Sequence, residues 1–533
     1  MKLPSIVYQD GIRKGTQVKF GGLNHNLGAG DGELWDMRNL TSDYYPLLAS
    51  RGRRRLFRTL TKGNGLYSWD ALAWADGTKF FYGGIERGSV EDSEKTFCAL
   101  GAYLIILPDK KYYNTLTGEF GSLESEWTGT SLTFTNGKLF EEEAKANAIQ
   151  CAGVDWSAYF KAGDAVTISG CTKHTENNKT PVIREIDGDK MYFYEYAFTL
   201  DGDKGETSYT ESGNMTVRRT VPMLRYICEN ENRLWGCDDT TIYASKLGDP
   251  FNWNVFEGLD TDSYAVDTGS AGKFTGYPIF FKEDHIYKVY GSLPSNFEIM
   301  GSATLGVADG SGRSLAIAGE TLFYLSRAGI MVYSGGIPQP IGSAFGMDRF
   351  KNAVGGSDGL KYYVSMTGPD GELLYVYDTQ KGLWHTEDAT KARYFARFGG
   401  NLFLLNDQGE VWIAGNVQNA PESTEEETVA WSAEFGDFTE NDPNKKGVSK
   451  LQLRMELEEG AEVQAYLKFD GGEWLKVDEK LCEAKKRSYY LPIVPRRGDH
   501  YRLKLEGKGT FRLYSLTREY YSGSELKSTQ GRN

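Results

Sequence analysis

The sequence predicts an all-β chain, on three observations. Short aromatic-rich strands recur in pairs around tight turns: Ala73-Trp74-Ala75 leads through Asp76-Gly77 into Phe80-Phe81-Tyr82. Leu322-Phe323-Tyr324-Leu325 leads through Ala328-Gly329 into Ile330-Met331-Val332-Tyr333, and Leu402-Phe403-Leu404-Leu405 through Asp407-Gln408-Gly409 into Val411-Trp412-Ile413. Apolar strands joined by such turns are β-hairpins. The composition agrees, because 63 Gly, 33 Tyr and 27 Phe favour turns and half-buried strands. Leu/Ala/Glu/Lys-rich runs of the helical-bundle kind are missing. Hairpins repeated at this spacing form a β-propeller, and about seven blades are expected, within the usual range of roughly four to eight.

The chain of 533 residues is long enough for several domains. Residues 1–60 read as an extended arm, rich in Gly and Asn over residues 20–32 and closing on Arg51, Arg53, Arg54 and Arg55. Two readings of these arginines stand side by side. They pair with carboxylates of this acidic chain, or they cross onto an acidic neighbour. Blades are expected over residues 61–121 and 222–416, with hairpins near 225–245, 276–289, 315–334, 359–385 and 394–413. An arm strand closing the ring would remove its exposed edge.

The blade pattern breaks over residues 122–221. Gly163-Asp164-Ala165-Val166-Thr167-Ile168 leads from a turn into a strand, and Ile186-Asp187-Gly188-Asp189 turns between two more. A small β-barrel inserted into a propeller loop is expected, with one helix-like stretch at 139–148. The acidic stretch 416–427 reads as a linker or exposed loop. Residues 428–521 alternate as a compact β-sandwich, and 522–533 form a polar tail.

The net charge of −13 argues against a general nucleic-acid binder. No apolar run approaches the ~20 residues of a membrane span, and the first residues lack a secretory core, so cytosolic synthesis is expected. The six cysteines are scattered without a C-x-x-C, and the five histidines do not cluster near them. Neither a metal nor a cofactor is therefore expected. P-loop and H-E-x-x-H motifs are absent. Asp309-Gly310-Ser311-Gly312-Arg313 opens like a calcium loop without its later ligands. Asn406–Trp412 and Asp378–Trp384 resemble the Asp-box turns of sialidase-type propellers, which cap hairpins rather than supply a nucleophile. His285 and His385 read as packed strand histidines. No catalytic residue is nominated and no enzymatic activity is expected.

Several phrases together resemble the β-propeller tail-nozzle, or "stabilisation", proteins of tailed bacteriophages. They are Met37-Arg38-Asn39-Leu40-Thr41-Ser42-Asp43-Tyr44-Tyr45-Pro46 with its downstream arginines, and Asn232-Arg233-Leu234-Trp235-Gly236. The most specific is Ile242-Tyr243-Ala244-Ser245-Lys246-Leu247-Gly248-Asp249-Pro250-Phe251-Asn252-Trp253. Residues 278–284 and 492–500 also match, and the resemblance covers most of the chain outside the insert. It implies a virion structural protein of the tail nozzle, hub or head-to-tail connector, made in the host cytoplasm. It implies a homo-oligomeric ring of six around a channel that passes DNA without specific binding, docked to adaptor, portal or other tail proteins. Interface candidates are Trp35, Arg38, Arg51, Arg53, Arg54, Arg55, Lys246, Asp249, Phe251, Trp253, Arg496 and Arg497; packing within one chain is the equal alternative for the arm and the 246–253 segment. The runner-up function is a phage glycan-binding or glycan-cleaving propeller that engages the host surface. A third reading is a host-encoded interaction propeller.

Overall fold

The computed structural model describes residues 11–26, 30–136, 147–194, 198–200, 208–238, 241–253, 259–260, 270–274, 276–415, 417, 421–481, 486–494 and 496–522. The expected helix at 139–148 lies mostly outside these residues, as do Cys482 and nearly all of the tail. The chain is all-β and divides into two compact units, residues 1–72 with 307–533, and residues 73–306.

In the first unit, two four-stranded antiparallel sheets have propeller-blade order. One runs Ala316–Ala318, Thr321–Ser326, Gly329–Tyr333, Gln339–Pro340, and the other Lys351–Ser357, Lys361–Gly368, Gly371–Asp378, Leu383–Thr386. A third blade takes three strands from Ala392–Phe398, Asn401–Asn406 and Glu410–Ala414, and its fourth from the arm, Arg55–Thr59. This arm strand closes the edge of the blade. The Asp-box-like turns work as hairpin caps. Asp378 Oδ1 accepts the N–H groups of Gln380 and Lys381, both at 3.1 Å. In the second turn the cap is Asn406, accepting from Gln408 and Glu410 at 3.1 and 2.8 Å, rather than the neighbouring Asp407. Gly409 follows at φ +84°, where a Cβ would lie 2.5 Å from the Leu60 carbonyl oxygen.

The same unit holds the sandwich. One sheet runs Leu40–Thr41, Leu48–Ser50, Phe511–Ser522, Lys446–Leu457, Lys486–Leu491, with Arg13–Gln17 also paired to Phe511–Ser522. The other runs Leu34–Arg38, Ala430–Phe435, Tyr501–Lys508, Glu462–Phe469, Leu475–Leu481. Alternate residues fill the space between them, among them Ala433, Phe435, Leu451, Leu453, Leu503, Leu505, Leu513 and Leu516, each 1% exposed or less. The arm expected over residues 1–60 is therefore no separate element, since four of its segments are strands of the sandwich.

The second unit opens within the strand Leu72–Asp76, which pairs with Lys79–Tyr82 and through it with Ile85–Ser89. Its four-stranded blades span 96–122, 226–260 and 270–303. Between the first and second of these lies the insert, ordered Thr167–Ser169, Ser208–Arg219, Ser125–Thr135, Ala148–Gln150, Lys190–Phe193, Ile183–Asp187. Its two ends bond to each other: the Val166 and Ile168 amides donate to the Pro181 and Lys179 carbonyls at 3.0 and 2.9 Å. The sheet thus closes into a barrel around Trp127, Trp156, Ile168, Met191 and Val217.

Candidate functional site

The arginine run builds a buried ionic cluster in the first unit. Arg51 grips Glu426 with both terminal nitrogens, at 2.7 and 2.9 Å, and its Nε donates to Asn39 at 2.7 Å. Arg54 donates to Glu387 at 2.6 Å, to Asp388 at 3.1 Å and to Thr390 at 2.9 Å. The Arg54 backbone N–H adds a bond to Glu426 at 2.9 Å. Both guanidinium groups are buried, at 6% and 4% exposure. Burial alone would raise the Asp388 carboxyl, but Arg54, Thr390 and Arg51 together hold it down at about 2. The same contest, won by Arg51, keeps Glu426 below its ordinary range. Arg53 and Arg55 are half-buried; Arg53 meets Glu458 at 3.0 Å, and Arg55 donates to the Ser423 hydroxyl and carbonyl, both at 2.9 Å. The arginines thus pair with carboxylates of this chain. The acidic stretch read as a linker supplies one of them, Glu426.

Beside the cluster lies a small polar cavity of about 20 Å³, room for one water, lined by Thr41, Ser42, Asp43, Lys361, Tyr363 and His385 among others. Asp43 pairs with Lys361, and the Ser42 hydroxyl donates to Asp378 at 2.6 Å. His385 is 4% exposed, and burial, aided by the Lys361 charge, pushes its imidazole down to about 4. It is a packed, neutral histidine.

The segment 246–253 has a counterpart role in the second unit: it fastens the barrel to a blade. Asp164, fully buried, accepts from Arg219 Nη1 at 2.5 Å and from the Asn252 amide at 3.1 Å. Asn252 Oδ1 accepts the Ala165 N–H at 2.9 Å, and Lys246 Nζ donates to the Gly163 carbonyl at 2.8 Å. Asp249 holds Asn252 in place, at 2.7 Å, and accepts the Phe251 N–H at 2.9 Å. Phe251 lies under the Arg219 and Lys161 cations, 5.0 and 4.3 Å from its ring centre. Phe251 and Trp253 are 6% and 2% exposed, so neither ring is free to dock a partner. The phrase Gly163-Asp164-Ala165-Val166 marked only a strand start. An aspartate at a buried strand start needs a cation, and Arg219 lies too far along the chain to be found by pattern.

The other candidates are surface groups of the sandwich. Trp35 sits under Arg502, at 4.8 Å, and beside the His25 ring. Arg38 lines an open groove of about 350 Å³ with Ser432, Glu462, Gln464, Glu506 and Lys508. Tyr466 on the same sheet and Trp474, in the loop just before the strand Leu475–Leu481, are half-exposed, with the Lys504 ammonium within 5.1 Å of both ring centres. Arg496 and Arg497 are exposed. Among the described residues no group of His, Cys, Asp or Glu is arranged to hold a metal ion. The Ser311 hydroxyl of the calcium-like loop instead accepts the Ala353 N–H at 3.1 Å. Among the described residues no helix is long and apolar enough to cross a membrane.

No family model matches the chain, and no curated protein matches it. Solved structures do. An exo-β-1,3-galactanase from Phanerochaete chrysosporium matches at 9% identity and a TM-score of 0.22, over 54% of this chain and 92% of its own. A bifunctional GH43-CE protein from Bacteroides eggerthii matches at 10% identity and 0.21, over 55% and 61%. A Cry1Da tryptic core variant from Bacillus thuringiensis matches at 7% identity and 0.15, over 48% and 51%. Against the expectation of no enzymatic activity, two of these neighbours are a galactanase and a GH43-CE protein. The chain is a β-propeller protein with an inserted barrel and a C-terminal sandwich.

Proposed function

We propose that this chain is a structural component of a bacteriophage tail, a nozzle, hub or connector subunit that forms a symmetric ring around the DNA channel. One observation carries the reading. Two of the phrases that carry the resemblance to tail-nozzle proteins, the run from Met37 to the arginines and the segment that ends Lys246 to Trp253, form buried joints, one in each unit. The resemblance therefore falls on architecture rather than on scattered surface residues. Electron microscopy of the purified chain, alone and with its adaptor or portal ring, tests this. Closed rings with a central channel are expected in at least one sample; single chains in both contradict it.

A second reading is a glycan-binding or glycan-cleaving propeller. It is favoured by the sandwich groove, where Glu462, Glu506 and Gln464 lie on a sheet that also carries half-exposed Tyr466, with half-exposed Trp474 in an adjoining loop. It is also the chemistry named for the galactanase, and none of the matched structures described above is a phage tail protein. Binding to a glycan array, lost with Trp474→Ala, or turnover of a bacterial surface polysaccharide would favour this reading over the first.

A further inference from the structure

The outermost strand of a blade is an edge whose free N–H and C=O groups invite another strand. Among the described residues most such edges are blunted. Ile85–Ser89 carries Glu86 and Arg87 and faces a register shift at Phe80/Phe81. Phe120–Ser122 has three residues, Leu259–Asp260 two, and Gln339–Pro340 two including a proline. Leu383–Thr386 is largely buried, and the arm lies along it, with the Leu23 N–H donating to the Trp384 carbonyl at 2.8 Å. Arg55–Thr59 is partly covered by Thr424–Glu425.

Glu298–Ala303 is different. It pairs with His285–Tyr290 along its whole length without a shift, and it is the terminal strand of its sheet. Its sequence, Glu298-Ile299-Met300-Gly301-Ser302-Ala303, has no lysine, arginine or proline and a single charge. Every residue but Ile299 is exposed, and Met300 is 57% exposed. Among the described residues nothing pairs with its outer side.

We infer that this edge pairs with the same edge of a second copy of the chain, antiparallel, to join two blades into one continuous sheet. The sequence suits that register. Antiparallel self-pairing sets Glu298 opposite Ala303 of the other copy, Ile299 opposite Ser302 and Met300 opposite Gly301. No like charges meet, and each larger side chain faces a small one. The three small residues at the end leave the backbone open to close approach. The contact is two-fold, unlike the head-to-tail contacts that close a ring, and does not rest on the virion reading. An interface of one strand pair is small, so its Kd is expected on the order of ten micromolar.

Sedimentation velocity of the full chain from ~1 to ~100 μM tests it. The average mass is expected to rise toward that of a pair. Met300→Lys, which sets two ammonium groups on neighbouring positions across the two-fold axis, is expected to weaken the pair at least ~tenfold. Because Met300 is exposed, thermal unfolding of the dilute variant should match the parent. Ile299→Cys and Ser302→Cys chains, mixed and oxidised, are expected to cross-link with each other far faster than either does alone. A single-chain mass throughout would overturn the inference, as would association indifferent to Met300→Lys. A ring-sized assembly unaffected by that variant would overturn the pair and leave the ring reading standing.

Discussion

The two clamps solve one problem, tying an added element to a blade, by different means. The arm clamp is a charge cluster, in which two guanidinium groups face the carboxylates of Glu387, Asp388 and Glu426. The barrel clamp uses one buried ion pair, Asp164–Arg219, with amide and backbone bonds through Asn252 and single charged bonds from Lys246 and Asp249, beside the Phe251 ring. A charge cluster is strong only while every member keeps its charge, whereas amide and backbone bonds do not titrate. The arm clamp spreads its charge over three carboxylates and two guanidinium groups, whereas the barrel clamp depends chiefly on a single buried ion pair.

The largest effect is expected at Asp164. Asp164→Ala leaves Arg219 buried without its anion, a loss of about 3–5 kcal/mol in denaturant unfolding of the full chain. The pair replaced together, Asp164→Leu with Arg219→Met, should recover much of it, because no charge is then stranded. A single variant as stable as the parent would break the contrast between the clamps.

Acid is expected to act next, through the region of the arm clamp. Buried His385 resists its proton until about pH 4, whereas an ordinary imidazole takes one near 6.5. Its folded value is depressed, so the unfolded chain binds the proton first and stability falls as pH drops from 6.5 toward 4. Asp388 is held at about 2 against an ordinary 3.8, so the stability it contributes is present above 3.8 and lost between there and 2. Each group accounts for about 2–3 kcal/mol at most. His385→Gln should flatten the stability profile between pH 6.5 and 4 and leave the lower limb; an unchanged upper limb would remove His385 from the account.

The smallest effect is expected at Arg53, whose half-exposed pair with Glu458 belongs to the arm run but not to its buried cluster. Arg53→Ala should cost under about 1 kcal/mol. A loss as large as those above would show that exposure does not separate the four arginines.

What the sequence revealed follows the range of the contacts. Hairpins and Asp-box turns are local, and the strands at 322–333 and 402–413 lie where alternation places them. The barrel was legible because it breaks the blade pattern over one continuous stretch. The arm's place was hidden, because Gly15 pairs with Arg518 and Leu34 with Phe435, and pairing at that distance leaves no local signature. The same holds for the clamps: the arginines were visible, but the choice between an outside partner and Glu387, Asp388 and Glu426 was open until the fold brought them together. In the 406–410 turn Asn406 and Asp407 have equally suitable side chains, so sequence alone does not single out Asn406 as the cap.

The central claim is that the arginine run is an internal joint. Denaturant unfolding of Arg54→Ala at two widely separated protein concentrations tests it most directly. A loss of about 3–5 kcal/mol, the same at both concentrations, is expected, because Glu387 and Asp388 lose their nearest cation inside one chain and keep only Arg51, at 3.7 and 3.4 Å. Parent-like stability in the dilute chain, with a defect seen only on assembly, would contradict the claim and make Arg54 a docking residue.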